Sequence, residues 1–254
     1  MPGRNCEPVI GGQSGALVWR CSNEGLATLY VKAAPLSVDL RLDREADRLR
    51  WMVAHHIPVP EVRDYCRIHD VEYLVVDEIP GVPASDPEWA SSLPEVIAAL
   101  AYGLRVLHGT DVTGCPFDHS VARQIEDARI QVNRGRVREE DFDEARAGRR
   151  AADLFAELVA SAPASEDLVF THGDFCLPNV ILRRSEPGGD VEIAGLVDCG
   201  RAGVADRYQD LALAVRSITY NHGSEFVPAF LRRYGLARPD EEKLSFFTLL
   251  DEFF

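Results

Sequence analysis

Lysine is almost missing from this chain. Of 27 basic residues only Lys32 and Lys243 are lysine, and the rest are arginine. A chain that uses arginine nearly everywhere and keeps a lysine inside the apolar run "LATLYVK" has a use for a compact ammonium at that point. Long apolar runs are missing too. No stretch reaches the ~18 residues of a membrane span, and "MPGRNCEPVIGG" lacks the apolar core of a secretory leader, so the expected location is the cytoplasm with no membrane partner. The six cysteines, at 6, 21, 66, 115, 176 and 199, form no CxxC pair. That excludes the usual zinc spacing and argues against a disulfide framework, so most are expected to be reduced thiols. A Walker A loop, which needs Gly-Lys-Ser/Thr at a helix start, is absent. Positive charge is scarce overall: 41 acidic side chains face 27 basic ones, a formal net charge of −14. Such a field repels nucleic acid and favours cationic small molecules, although it also serves solubility alone.

Hydrophobic residues make up 46% and charged residues 27% of the 254, as in ordinary globular proteins. Residues 8–32 read as three strands, "PVI", "ALVWRC" and "LATLYVK", with "GGQSG" and "SNEG" as the turns between them. Leu42, Ala46, Leu49 and Met52 recur at helical spacing, which predicts a helix over 39–55, ended by the prolines of "HIPVPEV". Two further strands follow, "RDYCRIHD" and "VEYLVVDEI". The breaker-rich "IPGVPASDP" marks the expected boundary between a β-rich N-lobe, 1–80, and a mainly helical C-lobe, 81–254. Helices are expected near 93–108, 119–134, 141–161, 205–221, 224–234 and 239–252. A hairpin, "VILRR–SEPGGD–VEIAGLV", is expected before "DCGRAG". The fold class is α+β.

The chemistry concentrates in "THGDFCLPN", residues 171–179. His172, Asp174 and Asn179 stand in the pattern H-x-D-x-x-x-x-N, and the hairpin beyond ends in Asp198-Cys199-Gly200. Each fragment alone reads equally well as a surface turn. Glu45 alone, on the apolar face of its helix, reads equally well as a ragged amphipathic face, although a carboxylate there is costly unless paired, and Lys32 is the obvious partner. Taken in order, the four pieces have a common use in phosphoryl transfer. Asp174 would orient the attacking hydroxyl, Asn179 and Asp198 would hold Mg²⁺ on the nucleotide phosphates, and Lys32 braced by Glu45 would grip the α- and β-phosphates. The segment Gly11, Gly12, Gln13, Ser14, Gly15 would cover the phosphates, or else form a plain hairpin turn.

With those residues in view, the chain resembles the aminoglycoside 3′-phosphotransferases, the kanamycin and neomycin kinases. The resemblance runs over nearly the whole length and is carried by "THGDFCLPN", "DCGRAGVADRYQDLALAVR", "LLDEFF", "CPFDH" and "EDFDEA". It implies a protein-kinase-like two-lobe fold and ATP-dependent transfer, with GTP as an alternative donor, to a sugar hydroxyl of a cationic aminoglycoside, by a monomer that needs Mg²⁺. On this resemblance Asp174 is the catalytic residue. Lys32, Glu45, Ser14, Tyr30, Glu78 and Ile79 bind nucleotide, with Tyr30 stacking on adenine. Asn179 and Asp198 hold the metal. Asp141, Asp143, Arg201, Asp251, Glu252 and the terminal Phe254 bind the drug. Carboxylates suit a polycation, and the run from Glu139 to Glu144 fits that role or that of a solvated helix start. Arg201 cannot attract a cation, so it is expected near phosphate or orienting carboxylates. Relatives often carry acidic residues where Ser217 and Tyr220 stand, which bears on the range of drugs. His172 is expected to pack the loop, Asp210 to brace it, and Asp206 and Arg207 to pair locally. The alternatives are a kinase of the same fold for another hydroxyl compound and a non-catalytic nucleotide-binding protein.

Overall fold

The computed structural model describes residues 4–9, 15–37 and 40–254. The order along the chain begins β1 (Asn5–Pro8), β2 (Leu17–Asn23), β3 (Leu26–Pro35), α1 (Leu42–Ala54), β4 (Val62–Ile68), β5 (Val71–Asp77) and β6 (Val82–Pro83). It continues α2 (Leu93–Leu107), α3 (Val121–Asn133), α4 (Ala151–Ala160), β7 (Leu168–Thr171), β8 (Val180–Arg184), β9 (Val191–Leu196) and β10 (Gly203–Asp206). Helices α5 (Tyr208–Asn221), α6 (Val227–Tyr234) and α7 (Glu241–Asp251) complete it. The class is α+β, β-rich first and mainly helical afterwards.

The chain divides into two compact units, Met1–Ala84 with Asn179–Arg201, and Ser85–Pro178 with Ala202–Phe254. This differs from a contiguous division at residue 80. The hairpin β8–β9 returns to the first unit because β8 pairs with β6, the Ala84 N–H donates to the Val180 carbonyl at 2.8 Å, and the Leu196 N–H donates to the Pro58 carbonyl at 2.8 Å. Backbone pairing far along the chain overrides the local breaker signal.

In the first unit an antiparallel sheet runs β1-β2-β3-β5-β4, and a second runs β6-β8-β9. Helix α1 buries Leu42, Ala46, Leu49 and Met52. Burying a Leu or Met side chain stabilises by roughly 1.5–3 kcal/mol. Arg41, at the N-cap of α1, makes no side-chain capping bond. Glu72 on β5 caps the helix, accepting the Leu42 N–H at 3.1 Å and the Tyr65 hydroxyl at 2.7 Å, while Asp43 accepts the Arg44 N–H at 2.8 Å. Strand β1 starts at Asn5 rather than at Pro8, which sets Cys6 directly across from Cys21. These two form a disulfide, against the expectation of no disulfide framework, while Cys66, Cys115, Cys176 and Cys199 are thiols. Cross-strand register, invisible in the cysteine spacing, decides the pair.

In the second unit β7 pairs antiparallel with β10, and helices α2–α7 surround a core that includes Phe170, Phe175, Phe230, Phe246, Phe247 and Phe253. The helix expected over 141–161 forms only over Ala151–Ala160, after a 3₁₀ turn at Glu139–Asp141. Asp143 turns the chain by accepting the Arg146 N–H at 3.0 Å, Gly148 sits at φ +77°, and Glu139 caps the helix by accepting the Ala151 N–H at 2.7 Å. A left-handed glycine and a turn closed by an Asp side chain both stop helix growth. Asp206 and Arg207, expected to pair with each other, take other partners. Asp206 binds Lys243 Nζ at 2.5 Å and Arg207 binds Asp167 at 2.6 Å, because β10 ends between them and sends the side chains to different neighbours. Among the described residues no helix is long and apolar enough to cross a membrane.

Candidate active site

In the first unit, Tyr30 and Lys32 are two apart on β3 and so share a face. The register sets Val18 and Leu74 on either side of Lys32, and Arg20 and Val76 on either side of Tyr30. Val18, Tyr30, Lys32, Leu74 and Val76 therefore line one side of a cavity of about 180 Å³, completed by Glu45 and Leu49 of α1, Ile79, and Ile181, Val197 and Asp198 of the hairpin. An apolar slot with charged groups at one end suits a flat ring carrying phosphates.

The charged end is tightly built. Lys32 Nζ lies 2.7 Å from Glu45 Oε1 and 2.8 Å from Asp198 Oδ1. Burial opposes the ammonium most strongly, but the charges and hydrogen bonds of Glu45 and Asp198 outweigh it and hold Lys32 above the ordinary lysine value. Lys32 is thus a fixed cation. Glu45 is only 4% exposed, and a carboxylate that deep is costly unless paired. Asp198 sits in the left-handed region at φ +60°, a conformation Asp tolerates better than most residues and one that recurs at functional sites. The following turn, Cys199–Arg201, packs on α1. Burial, with Glu45 next in importance, raises the Cys199 thiol well above its usual range, so it stays neutral.

The hairpin register sets Asn179 across from Val197, the residue before Asp198. Val180 stands opposite Leu196, and the Val197 N–H donates to the Asn179 carbonyl at 2.9 Å. The side-chain donors of Asn179 and Asp198 are all oxygen, with one negative charge, which fits Mg²⁺ that keeps phosphate and water as its other ligands. Among the described residues no three His, Cys, Asp or Glu side chains gather as a metal site on their own. Glu78 uses its N–H within the sheet, on the Thr28 carbonyl at 3.1 Å, and its carboxylate on Arg20 at 2.8 Å. Ile79 lines the cavity beside it. Burial and the Glu78 carboxylate raise the Tyr30 phenol, keeping it neutral. Arg201 belongs to this unit and stands on the turn that follows Asp198. Ser14 lies outside the described residues.

In the second unit the loop after β7 carries Asp174, half-buried, between His172 and Phe175, which are fully buried and meet edge to face. Asp210 accepts the His172 and Gly173 N–H groups at 2.8 Å each, and His108 Nε2 lies 3.1 Å from the same carboxylate. Gln209 Nε2 donates to the Gly173 carbonyl at 3.1 Å. The Asp174 N–H donates to His172 Nδ1 at 3.3 Å, which makes that nitrogen the acceptor. His172 therefore packs the loop and Asp210 braces it.

Three of the expected drug-binding acids are drawn together in this unit. Glu252 Oε2 accepts the Asp143 N–H at 3.1 Å. Arg146 pairs with Asp143 and lies 3.6 Å from Glu252, while Arg216 pairs with Asp251 and lies 3.9 Å from Glu252. Burial first, and then the Asp143 charge, raise the Glu252 carboxyl, against the Asp143 N–H, Arg146 and Arg216. Burial disfavours the Arg216 charge, but Asp251, Glu252 and Asp174 together raise it above the ordinary arginine value. Asp141 pairs with Arg138 at the surface. The Phe254 N–H donates to the Asp251 carbonyl at 3.2 Å. Arg146 and Arg216 were not anticipated. Ser217 is buried, its Oγ accepting the Leu177 N–H at 2.9 Å, whereas Tyr220 is 88% exposed.

Comparison with known proteins completes the description. A family model described as the phosphotransferase enzyme family matches residues 5–247. An aminoglycoside 3′-phosphotransferase of Streptomyces fradiae is 41% identical over 257 residues, covering 96% of this chain and 92% of the relative. A solved aminoglycoside-3′-phosphotransferase of type VIII superposes with a TM-score of 0.89 at 41% identity, covering 100% of this chain and 95% of that one. An aminoglycoside phosphotransferase of Streptomyces rimosus, solved in complex with ADP and streptomycin, gives a TM-score of 0.79 at 28% identity, covering 96% and 94%.

Proposed function

The chain belongs to the phosphotransferase enzyme family and, within it, to the aminoglycoside 3′-phosphotransferases, and on that premise we propose that it transfers the γ-phosphoryl group of ATP to the 3′-hydroxyl of an aminoglycoside and so confers resistance to the drug. The observation that carries the chemistry is Lys32, held between Glu45 at 2.7 Å and Asp198 at 2.8 Å beside an apolar cavity of nucleotide character.

Adenine enters the slot against Tyr30, Val18 and Ile79, with the Glu78 carbonyl and Ile79 N–H at its edge. Lys32 binds the α- and β-phosphates, and Glu45 keeps it in place. Ser14 and its neighbouring glycines contribute donors to the phosphates. Asn179 and Asp198 would hold Mg²⁺, which would supply positive charge to the nucleotide phosphates. Arg201, on the turn after Asp198, adds positive charge on the phosphate side. Asp174 accepts a hydrogen bond from the 3′-hydroxyl and aligns its oxygen with the γ-phosphorus. The new bond joins that oxygen to phosphorus, the bond to the β,γ-bridging oxygen breaks, and ADP leaves. The hydroxyl proton passes to Asp174. Because the transition state is loose, alignment contributes more than deprotonation. Asp143, Asp251 and Glu252 bind the ammonium groups of the drug, with Asp141 and the terminal carboxylate of Phe254 at the margin. Arg146 and Arg216 hold these carboxylates in place when no drug is bound. The enzyme acts as a cytoplasmic monomer, with GTP as an alternative donor.

The test is to incubate the protein with ATP, Mg²⁺ and kanamycin, neomycin or streptomycin, and to locate the phosphate by phosphorus–proton NMR. Kanamycin-stimulated ATP consumption with phosphate on the 3′-oxygen is the expected result. Phosphate on another position, transfer to streptomycin alone, or nucleotide binding with no drug-dependent turnover would overturn the proposal.

A further inference from the structure

Helix α5 grips the catalytic loop at two points. Asp210 and Ser217 are seven positions apart, two turns of helix, and so project from one face. Asp210 takes the N–H groups of His172 and Gly173, upstream of Asp174. Ser217 Oγ takes the Leu177 N–H at 2.9 Å, downstream of it. Asp174 stands between the two tethers. The upstream one is a carboxylate reinforced by His108 at 3.1 Å and by Gln209 on the Gly173 carbonyl at 3.1 Å. The downstream one is a single hydroxyl, 8% exposed, that also receives Asn221 Nδ2 at 3.2 Å. Asn221 is itself anchored on the Ser217 carbonyl at 2.7 Å. The Ser217 hydroxyl is thus engaged from two sides and committed to the loop, although the next residue back, Arg216, pairs with Asp251 in the acidic group.

We propose that Ser217 is a positioning residue for Asp174. Its hydroxyl fixes the downstream end of the loop, so that the Asp174 carboxylate meets the acceptor hydroxyl in line with the γ-phosphorus. It is not a contact for the drug. This rests on the phosphotransferase reading above. Without the hydroxyl, the buried Leu177 N–H loses its partner on α5, and α5 then holds the loop only upstream of Asp174. Misplacement of a reacting group by ~1 Å costs up to about 100-fold in rate.

Ser217→Ala and Ser217→Thr in the full chain test the proposal by kanamycin phosphorylation and by hydrogen exchange of the Leu177 amide. In Ser217→Ala, kcat should fall about 10- to 100-fold, with both KM values within about twofold. The Leu177 amide should lose protection in that variant, and Ser217→Thr should restore rate and protection together. Unchanged kcat in Ser217→Ala overturns the proposal, as does a higher KM for kanamycin at unchanged kcat, which would make Ser217 a drug contact. Equal loss of rate and of melting temperature in both variants also overturns it, by leaving Ser217 a role in folding alone. If the unaltered protein phosphorylates no aminoglycoside, the functional reading fails, and unchanged Leu177 exchange in Ser217→Ala would separately remove the tether.

Discussion

Lys32 Nζ lies 2.8 Å from Asp198 Oδ1, although 166 positions separate the two residues in sequence. The hairpin β8–β9 makes this meeting, and it places the proposed phosphate-gripping cation against a proposed metal ligand. With no phosphate to bind, Lys32 is satisfied by two carboxylates. Nucleotide would then replace one set of charge-assisted contacts with another.

Replacing Lys32 with Met should raise the KM for ATP at least about tenfold. The change also leaves Glu45 buried without its cation, at about 3–5 kcal/mol of stability. The double variant Lys32→Met/Glu45→Gln should recover most of that stability and none of the ATP affinity. Denaturant melts and steady-state kinetics on the same preparations check both halves. An ATP KM that stays at the starting value in Lys32→Met would count against the pair.

Asp174→Ala should lower kcat by about 10²–10⁴-fold. Nucleotide affinity, measured by calorimetry with ADP, should be unchanged. Near-normal turnover would take Asp174 out of the mechanism.

Glu252 gives the acidic group a pH dependence. Its carboxyl is raised above the ordinary 4.5, chiefly by burial. The folded chain therefore keeps this proton at pH values where the unfolded chain has lost it. The stability from this group is fully present below 4.5 and is lost as pH rises through the folded value. A cationic drug prefers the ionised form, so binding it should expel a proton in that window, and affinity should climb with pH there. Calorimetry in two buffers of different ionisation enthalpy measures the release, and Glu252→Gln should abolish it.

In denaturant without reductant, a thiol reagent should label four of the six cysteines, and with reductant all six. Fifteen positions separate Cys6 from Cys21, and opening a loop of that length costs about 3 kcal/mol. Reduction should lower the melting temperature, and Cys6→Ser should remove the sensitivity to reductant. Six labelled cysteines without reductant would show the bond absent in solution.

The α+β class was legible from periodicity, and α1, α2 and α5 from the spacing of their apolar positions. Lys32 was legible because lysine is rare here, and Glu45 because a carboxylate interrupts an apolar face. Arg146 and Arg216 were not, for the opposite reason: one arginine among 25 carries no signal. Helix 141–161 misled because Asp143 and Gly148 break it through side-chain and left-handed geometry that hydrophobic spacing does not register. The return of 179–201 to the first unit and the Cys6–Cys21 bond both depend on strand register. Register is a tertiary property, fixed by which faces are buried, and short strands such as β6 give too few residues to read it.

A split first unit also bears on how the chain matures as it leaves the ribosome. Its opening 84 residues emerge early but lack the hairpin that supplies Asp198 and completes the proposed nucleotide slot. At about 5–20 residues per second, the nascent sheet waits several seconds for that piece. Through this interval Lys32 lacks its Asp198 partner, and nascent chains halted before residue 201 should bind no nucleotide.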